Sequence, residues 1–164
     1  MRMTTLCYLE KDGRRLMLHR TKKDAAVDDS HGKWIGVGGK FEADESPEDC
    51  MLREVLEETG LKVTRWKYHG LVTFVSDVAQ SDYMHLFSAT EWEGELHACD
   101  EGELQWIPVE ELGRLNLWEG DRVFLFLMER QLPFFSLKLT YRGDSLVRAV
   151  LDGKEINPEQ YKIR

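Results

Sequence analysis

The sequence predicts an α/β (α+β) fold in which a mixed central sheet lies between helices. Three observations carry this. Short apolar strand-like runs recur along the whole chain, a capped helix sits near residue 50, and a second helix-period stretch comes only after about residue 119. Strands interspersed with two separated helices bury their apolar faces best as helices packed on the two faces of one sheet. Met3 to Leu9 and Arg15 to Arg20 are apolar runs joined by Lys11-Asp12-Gly13. Asp-Gly between such runs is a strong hairpin signal. Residues 21–33 (TKKDAAVDDSHGK) are small and polar and read as a loop ahead of Trp34-Ile35-Gly36-Val37-Gly38-Gly39. Ser46-Pro47-Glu48-Asp49 opens a helix, with Ser46 as the cap, Pro47 at the first helical position and Gly60 as the stop. Strands follow at Val63 to Val75, Asp82 to Trp92 and Gln105 to Ile107. A second helix runs from Glu119 to Gln131, where Val123, Phe126 and Leu127 recur at helical spacing. Phe134 to Tyr141 and Leu146 to Leu151 read as a last hairpin through Arg142-Gly143-Asp144-Ser145.

The 164 residues, with neither an internal repeat nor a low-complexity linker, suit one domain spanning residues 1–164. A composition of 42% hydrophobic and 32% charged residues lies far from disordered and membrane-embedded chains. The longest purely apolar run, Val123 to Met128, is too short to span a bilayer, so no membrane partner is expected. The net charge of −8 argues against a nucleic-acid polymer, because duplex binding needs clustered Lys and Arg. A small anion held by a few cations or through a metal stays open. Cys7, Cys50 and Cys99 form no close-spaced pair and read as packing thiols. With no basic-apolar signal pattern at the N-terminus, they point to a cytoplasmic protein. His19, His31, His69, His85 and His97 are scattered without ligand spacing. Met84 and the stretches Phe124 to Met128 and Phe134-Phe135 read as core or dimer contact, so monomer and homodimer both stay open.

The first helix carries the chemistry. At about 100° per residue, with Glu54 as zero, Glu57 lies at about −60° and Glu58 at about +40°, so three carboxylates share one arc. Leu52, Val55, Leu56 and Thr59 lie between about +100° and +200°, which predicts an apolar core face roughly opposite the acids. Like charges at these spacings each cost a few tenths of a kcal/mol, and a bound cation offsets that cost. A solvated acidic face is the bland alternative. Gly38-Gly39-Lys40 ahead of the helix can bring bare backbone close to phosphate, Glu45 adds an acid, and Arg53 can orient carboxylates by bidentate hydrogen bonds. Hard oxygen donors without histidine or thiolate favour magnesium, with manganese as a substitute, over zinc.

From Gly39 to Leu61 the sequence GKFEADESPEDCMLREVLEETGL has Gly, five residues, Glu, seven residues, Arg-Glu, an aliphatic, one residue, Glu-Glu, one residue, Gly and an aliphatic. This resembles the signature of the Nudix hydrolases, with Gly39, Glu45, Arg53, Glu54, Val55, Glu57, Glu58, Gly60 and Leu61 filling every specified position. Chance agreement is on the order of one in 10⁹ starting points at background residue frequencies. The resemblance implies an αβα sandwich and divalent-cation hydrolysis of a nucleoside diphosphate linked to another group. It is greatest to the MutT-like branch acting on 8-oxo-dGTP, a nucleotide-pool sanitising step in DNA repair that releases monophosphate and pyrophosphate. Other family substrates stay open: an unmodified nucleoside triphosphate, dihydroneopterin triphosphate or ADP-ribose, or a non-catalytic nucleotide-sensing role.

Carried over residue by residue, the resemblance implies a metal site of Glu54, Glu57, Glu58, the Gly38 carbonyl and Glu101. Glu57 or Glu58 would be the base, and Arg53 and Glu45 would hold the ligands. Arg20, Gly38, Gly39 and Lys40 would face the phosphates, and Trp118 and Asp121 the base. Glu101 as a solvated acid, Arg20 as an exposed strand end and Trp118 as core are the competing assignments. The sequence departs from the purine-reading pattern twice: Ile35 stands where some relatives carry an asparagine, and Gly120 where one of two acids is found.

Overall fold

The structure is a computed structural model, and it describes residues 1–21 and 32–164. Most of the expected loop of residues 21–33, with His31, lies outside the described residues. The first hairpin joins β1 (Arg2–Lys11) to β2 (Arg14–Arg20). Asp12 and Gly13 both take positive φ, 52° and 72°, the backbone a two-residue turn with the strands' own twist requires. Two short strands follow, β3 (Trp34–Ile35) and β4 (Val37–Lys40), over a stretch given no element from sequence. Helix α1 (Pro47–Thr59) begins at Ser46, whose side chain accepts from the Asp49 N–H while Asp49 accepts from the Ser46 N–H. It ends at Gly60 in the left-handed region.

β5 (Lys62–Ser76), β6 (Asp82–Glu93) and β7 (Gly102–Pro108) come next, then a 3₁₀ turn (Val109–Arg114) and α2 (Glu119–Glu129). The second helix stops before Gln131, which has a positive φ of 50°. β8 (Phe135–Arg142) and β9 (Ser145–Leu151) form the last expected hairpin, and β10 (Lys154–Ile156) with a 3₁₀ turn at Pro158–Gln160 continues beyond it.

The main sheet runs β10-β9-β8-β5-β6-β1, with β4 on the other edge of β1. It is mixed, because β1 pairs parallel with β6 and β5 parallel with β8. The last two residues of β1 turn into β2, which carries β3 and β7. β1 is buried on both faces: Leu6 and Tyr8 join the core under α2, whereas Cys7 and Leu9 join the core under α1. The architecture is thus the expected sheet between helices. Among the described residues no helix is long and apolar enough to cross a membrane.

One expectation about α1 is corrected. Its buried arc is Cys50, Met51, Val55, Glu58 and Thr59, while Leu56 faces water at 46% exposure. The helix is rolled toward its carboxylates because it packs beside β4, where Gly38 and Gly39 present no side chains. A Cβ on Gly39 would lie 2.5 Å from the Glu54 carboxyl carbon, so that carboxylate occupies the room a side chain would need. Of the aromatic stretches, Phe124 and Phe135 are core and Phe134 is 56% exposed.

The roll is testable by denaturant unfolding. Met51→Ala should cost about 3 kcal/mol, as large-to-small changes at fully buried sites do, whereas Leu56→Gln should stay within about 0.5 kcal/mol.

Candidate active site

The site is assembled at the seam between β1 and β4. Thr5 pairs with Gly39 and Leu6 with Gly38 across this seam, and a Cβ on Gly38 would sit 2.0 Å from the Thr5 carbonyl oxygen. Only glycine permits that approach. With the strands this close, the Gly38 N–H faces the helix and donates to Glu58 Oε2 at 2.9 Å.

Arg53 organises the acids. Its Nε and Nη2 grip Glu45 at 2.7 and 2.9 Å, and its Nη1 donates to Glu54 at 2.8 Å and Glu57 at 3.2 Å. Nη2 also donates to the Lys40 carbonyl at 3.0 Å. The bidentate grip lowers the Glu45 carboxyl below its usual range, and Arg53 is itself held more firmly protonated by Glu45 and Glu54. The Glu42 N–H donates to Glu45 as well, so the connection from β4 to α1 is tied at both ends.

Glu54 and Glu58 are raised. Burial is the first cause for Glu54, opposed by Arg53 and reinforced by Glu57 and Glu101. Burial also dominates at Glu58, followed by the charges of Glu101 and Glu54, and its hydrogen bond with Glu101 favours the protonated form. Glu101 lies in the turn leading into β7, where it meets Arg20 at 3.5 Å. The structure therefore brings together Gly38, Glu54, Glu58, Glu101 and Arg20. Glu57 is half-exposed, with its carboxylate directed to Arg53. Among the described residues no three acids stand close enough to ligate one ion as they are; Arg53 draws Glu54 aside and Glu58 accepts from the Gly38 N–H. The donor set nonetheless suits a hard divalent cation: it is all oxygen, and the two partly buried carboxylates, Glu54 and Glu58, have raised proton affinities that a metal charge would reverse.

Of these groups Gly38, Glu54, Glu101 and Arg20 line a cleft of about 520 Å³, within the range of small-molecule sites. Arg20, Gly38, Gly39, Lys40, Glu54 and Glu101 line one part, and Trp118 and Asp121 another. Trp118 caps α2, with the Lys33 ammonium 4.7 Å from its ring centroid and Tyr141 5.8 Å away. Asp121 is buried and its carboxyl is pushed up to about 7 by that burial, although Lys33 and Arg122 pull it down. Tyr8 from β1 and Tyr141 from β8 feel its charge. Sequence reasoning missed Tyr141, Phe74 and the Arg2–Asp82 pair, held at 2.6 and 3.0 Å across 80 residues, all of which line the cleft. Ile35 lines it too.

The fold and this site define a Nudix hydrolase, an enzyme class that acts on pyrophosphate bonds and generally uses divalent metal ions. A family profile described as the NUDIX domain matches residues 1–128, and the chain belongs to that family. It is 32% identical to an uncharacterised Nudix hydrolase, YvcI, of Bacillus subtilis, over 85% of this chain and 92% of that one. It is 30% identical to the oxidized purine nucleoside triphosphate hydrolase of Danio rerio, over 94% and 96%. The crystal structure of a MutT protein from Bacillus halodurans superposes with a TM-score of 0.79 at 26% identity, covering 94% of this chain and 99% of that one.

Asp121 gives this site a pH signature. Its folded value of about 7 exceeds the usual 3.8, so the folded state holds that proton more tightly. Its contribution to stability is therefore lost as pH rises from about 4 to about 7, and is flat above. Thermal melts should show Asp121→Asn gaining on wild type between pH 5 and pH 7.5.

Proposed function

We propose that the chain is a magnesium-dependent nucleoside triphosphate pyrophosphohydrolase for oxidised purine nucleotides, with 8-oxo-dGTP releasing 8-oxo-dGMP and pyrophosphate. The observation that carries this reading is the single cleft that has carboxylates, Arg20 and Lys40 in one part and Trp118 with Asp121 in another. A phosphate chain and a base demand those two chemistries. The relative named for oxidised purine nucleoside triphosphates supports the substrate class.

Glu54, Glu57, Glu58, Glu101 and the Gly38 carbonyl would hold magnesium or manganese, which lowers the pKa of a bound water and neutralises phosphate charge. Arg20 and Lys40 would bind phosphate oxygens, while Arg53 and Glu45 keep the carboxylates in place. Of the two candidate bases, Glu58 is the better supported, since its carboxyl is recessed and oriented by the Gly38 N–H. The attacking water forms the new O–P bond as its proton passes to Glu58, and the anhydride bond breaks to release pyrophosphate. Residues 1–164 act as one domain in this reading, since β8 to β10 extend the same sheet beyond the family match. The enzyme would work in the cytoplasm on the free nucleotide pool, as monomer or homodimer.

Ile35 and Gly120 favour a second reading, in which another family substrate, such as an unmodified nucleoside triphosphate, dihydroneopterin triphosphate or ADP-ribose, is preferred. A Nudix module that senses nucleotides without hydrolysis is a third. A substrate panel with product analysis decides among them: 8-oxo-dGTP should give the highest kcat/KM, and indifference between dGTP and 8-oxo-dGTP would overturn the sanitising role. Glu58→Gln should cut magnesium-dependent turnover by a factor on the order of 10³ while Tm stays near wild type. Full turnover in that variant would remove Glu58 as the base.

A further inference from the structure

We infer that Tyr141 is a specificity-determining residue of the cleft, whose hydroxyl donates to the 6-oxo group of a purine while Asp121 accepts the neighbouring ring N–H. This rests on the reading above that the Trp118 part of the cleft takes the base. The departure at Gly120 is where the argument begins. A Cβ there would stand 2.7 Å from both Tyr141 Oη and Leu139 Cδ1, so a side chain at this position would displace them. In exchange the Gly120 N–H donates to Tyr141 Oη at 2.6 Å.

That is the only hydrogen bond Oη makes among the described residues, and Oη is its acceptor, so the hydroxyl proton remains for a ligand. Phe74 meets the tyrosine ring edge-on at 4.8 Å and holds it. Tyr141, Asp121, Trp118 and Phe74 all line the same cleft. A tyrosine hydroxyl and a carboxylate that line one cleft, near enough for the hydroxyl to feel the carboxylate's charge, offer a ligand a donor and an acceptor. The complementary edge is acceptor next to donor, which a 6-oxopurine presents with O6 and N1–H and a 6-aminopurine reverses. Ile35 supplies no such group. The exchange of an acid for glycine at position 120 thus leaves base reading to a residue 21 positions later, from the neighbouring strand.

The test is a mutant–substrate cycle on the intact chain with magnesium. It compares wild type and Tyr141→Phe on dGTP and on 2-aminopurine deoxyribonucleoside triphosphate, which lacks the 6-oxo group. Wild type should favour dGTP by more than tenfold in kcat/KM, carried by KM, because the analogue lacks N1–H as well as O6, and about tenfold of that, the order expected of one hydrogen bond, belongs to the Tyr141 hydroxyl. Tyr141→Phe should lose that factor on dGTP and barely change on the analogue. Equal losses on both nucleotides, or none on dGTP, would overturn the assignment, the former marking Tyr141 as a mere support of α2. The same cycle read as calorimetric Kd with the α,β-methylene forms needs no turnover. A wild type that binds with the expected ratio but hydrolyses nothing would sink the proposed function and leave Tyr141 assigned, whereas equal Kd values would sink Tyr141 alone.

Discussion

Glu45, Glu54 and Glu57 would repel one another and splay into solvent unless something held them, and one guanidinium does. Arg53 presents five N–H donors in a fixed plane, and it uses both edges: the bidentate grip on Glu45 faces the loop, and Nη1 faces Glu54 and Glu57. Its bond to the Lys40 carbonyl fastens the same plane to the end of β4. A lysine has the charge but not the fork, so it could satisfy one of these directions and not all. Because Glu45 precedes the helix and Lys40 ends the strand, the arginine fixes the angle at which α1 leaves the sheet. The position of every carboxylate follows from that angle.

The second constraint is backbone proximity. Gly38 lies so near Thr5 that no side chain fits between them, and Gly39 leaves its space to the Glu54 carboxyl. The acids therefore sit against main chain, with the Gly38 N–H as a fixed donor, instead of against water. Partial burial raises the proton affinity of Glu54 and Glu58, which is an energetic cost for a metal-free chain at neutral pH. Groups kept under such a cost are better explained by a ligand than by stability. A divalent ion turns the same burial into an advantage, since a low-dielectric surrounding strengthens its attraction for the carboxylates.

Much of this was legible in the chain. The capping box at Ser46 and Asp49, the stop at Gly60 and the turn at Asp12-Gly13 are local, and local chemistry settles them. The signature spacing likewise located Arg53 and its acids, since their mutual reach depends on one helix. The roll of α1 was not legible. Helix periodicity orders residues around the axis but does not say which side the neighbour occupies, and here glycines in β4 made the carboxylate side the packed one. The far wall of the cleft was out of reach for a similar reason. Tyr141 meets Gly120 only through the packing of α2 on the sheet and Arg2 meets Asp82 only through sheet pairing, and no spacing rule connects residues 21 or 80 apart.

The two parts of the cleft are also held at a set distance from each other. The Arg20 N–H donates to the Lys33 carbonyl and the Arg20 carbonyl accepts from Gly32. The Lys33 side chain donates to Asn116 and lies over the Trp118 ring, while the Trp34 N–H donates to the Asn116 carbonyl. Residues 32–34 thus touch the arginine beside Glu101 and the tryptophan beside Asp121. A substrate that must place phosphates at one and a ring at the other is measured by this spacing before any base edge is read. The net charge of −8 takes on a different meaning in this light. Part of that charge, Glu54 and Glu101, lies in the cleft beside Arg20 and Lys40, so the local balance there differs from that of the chain as a whole.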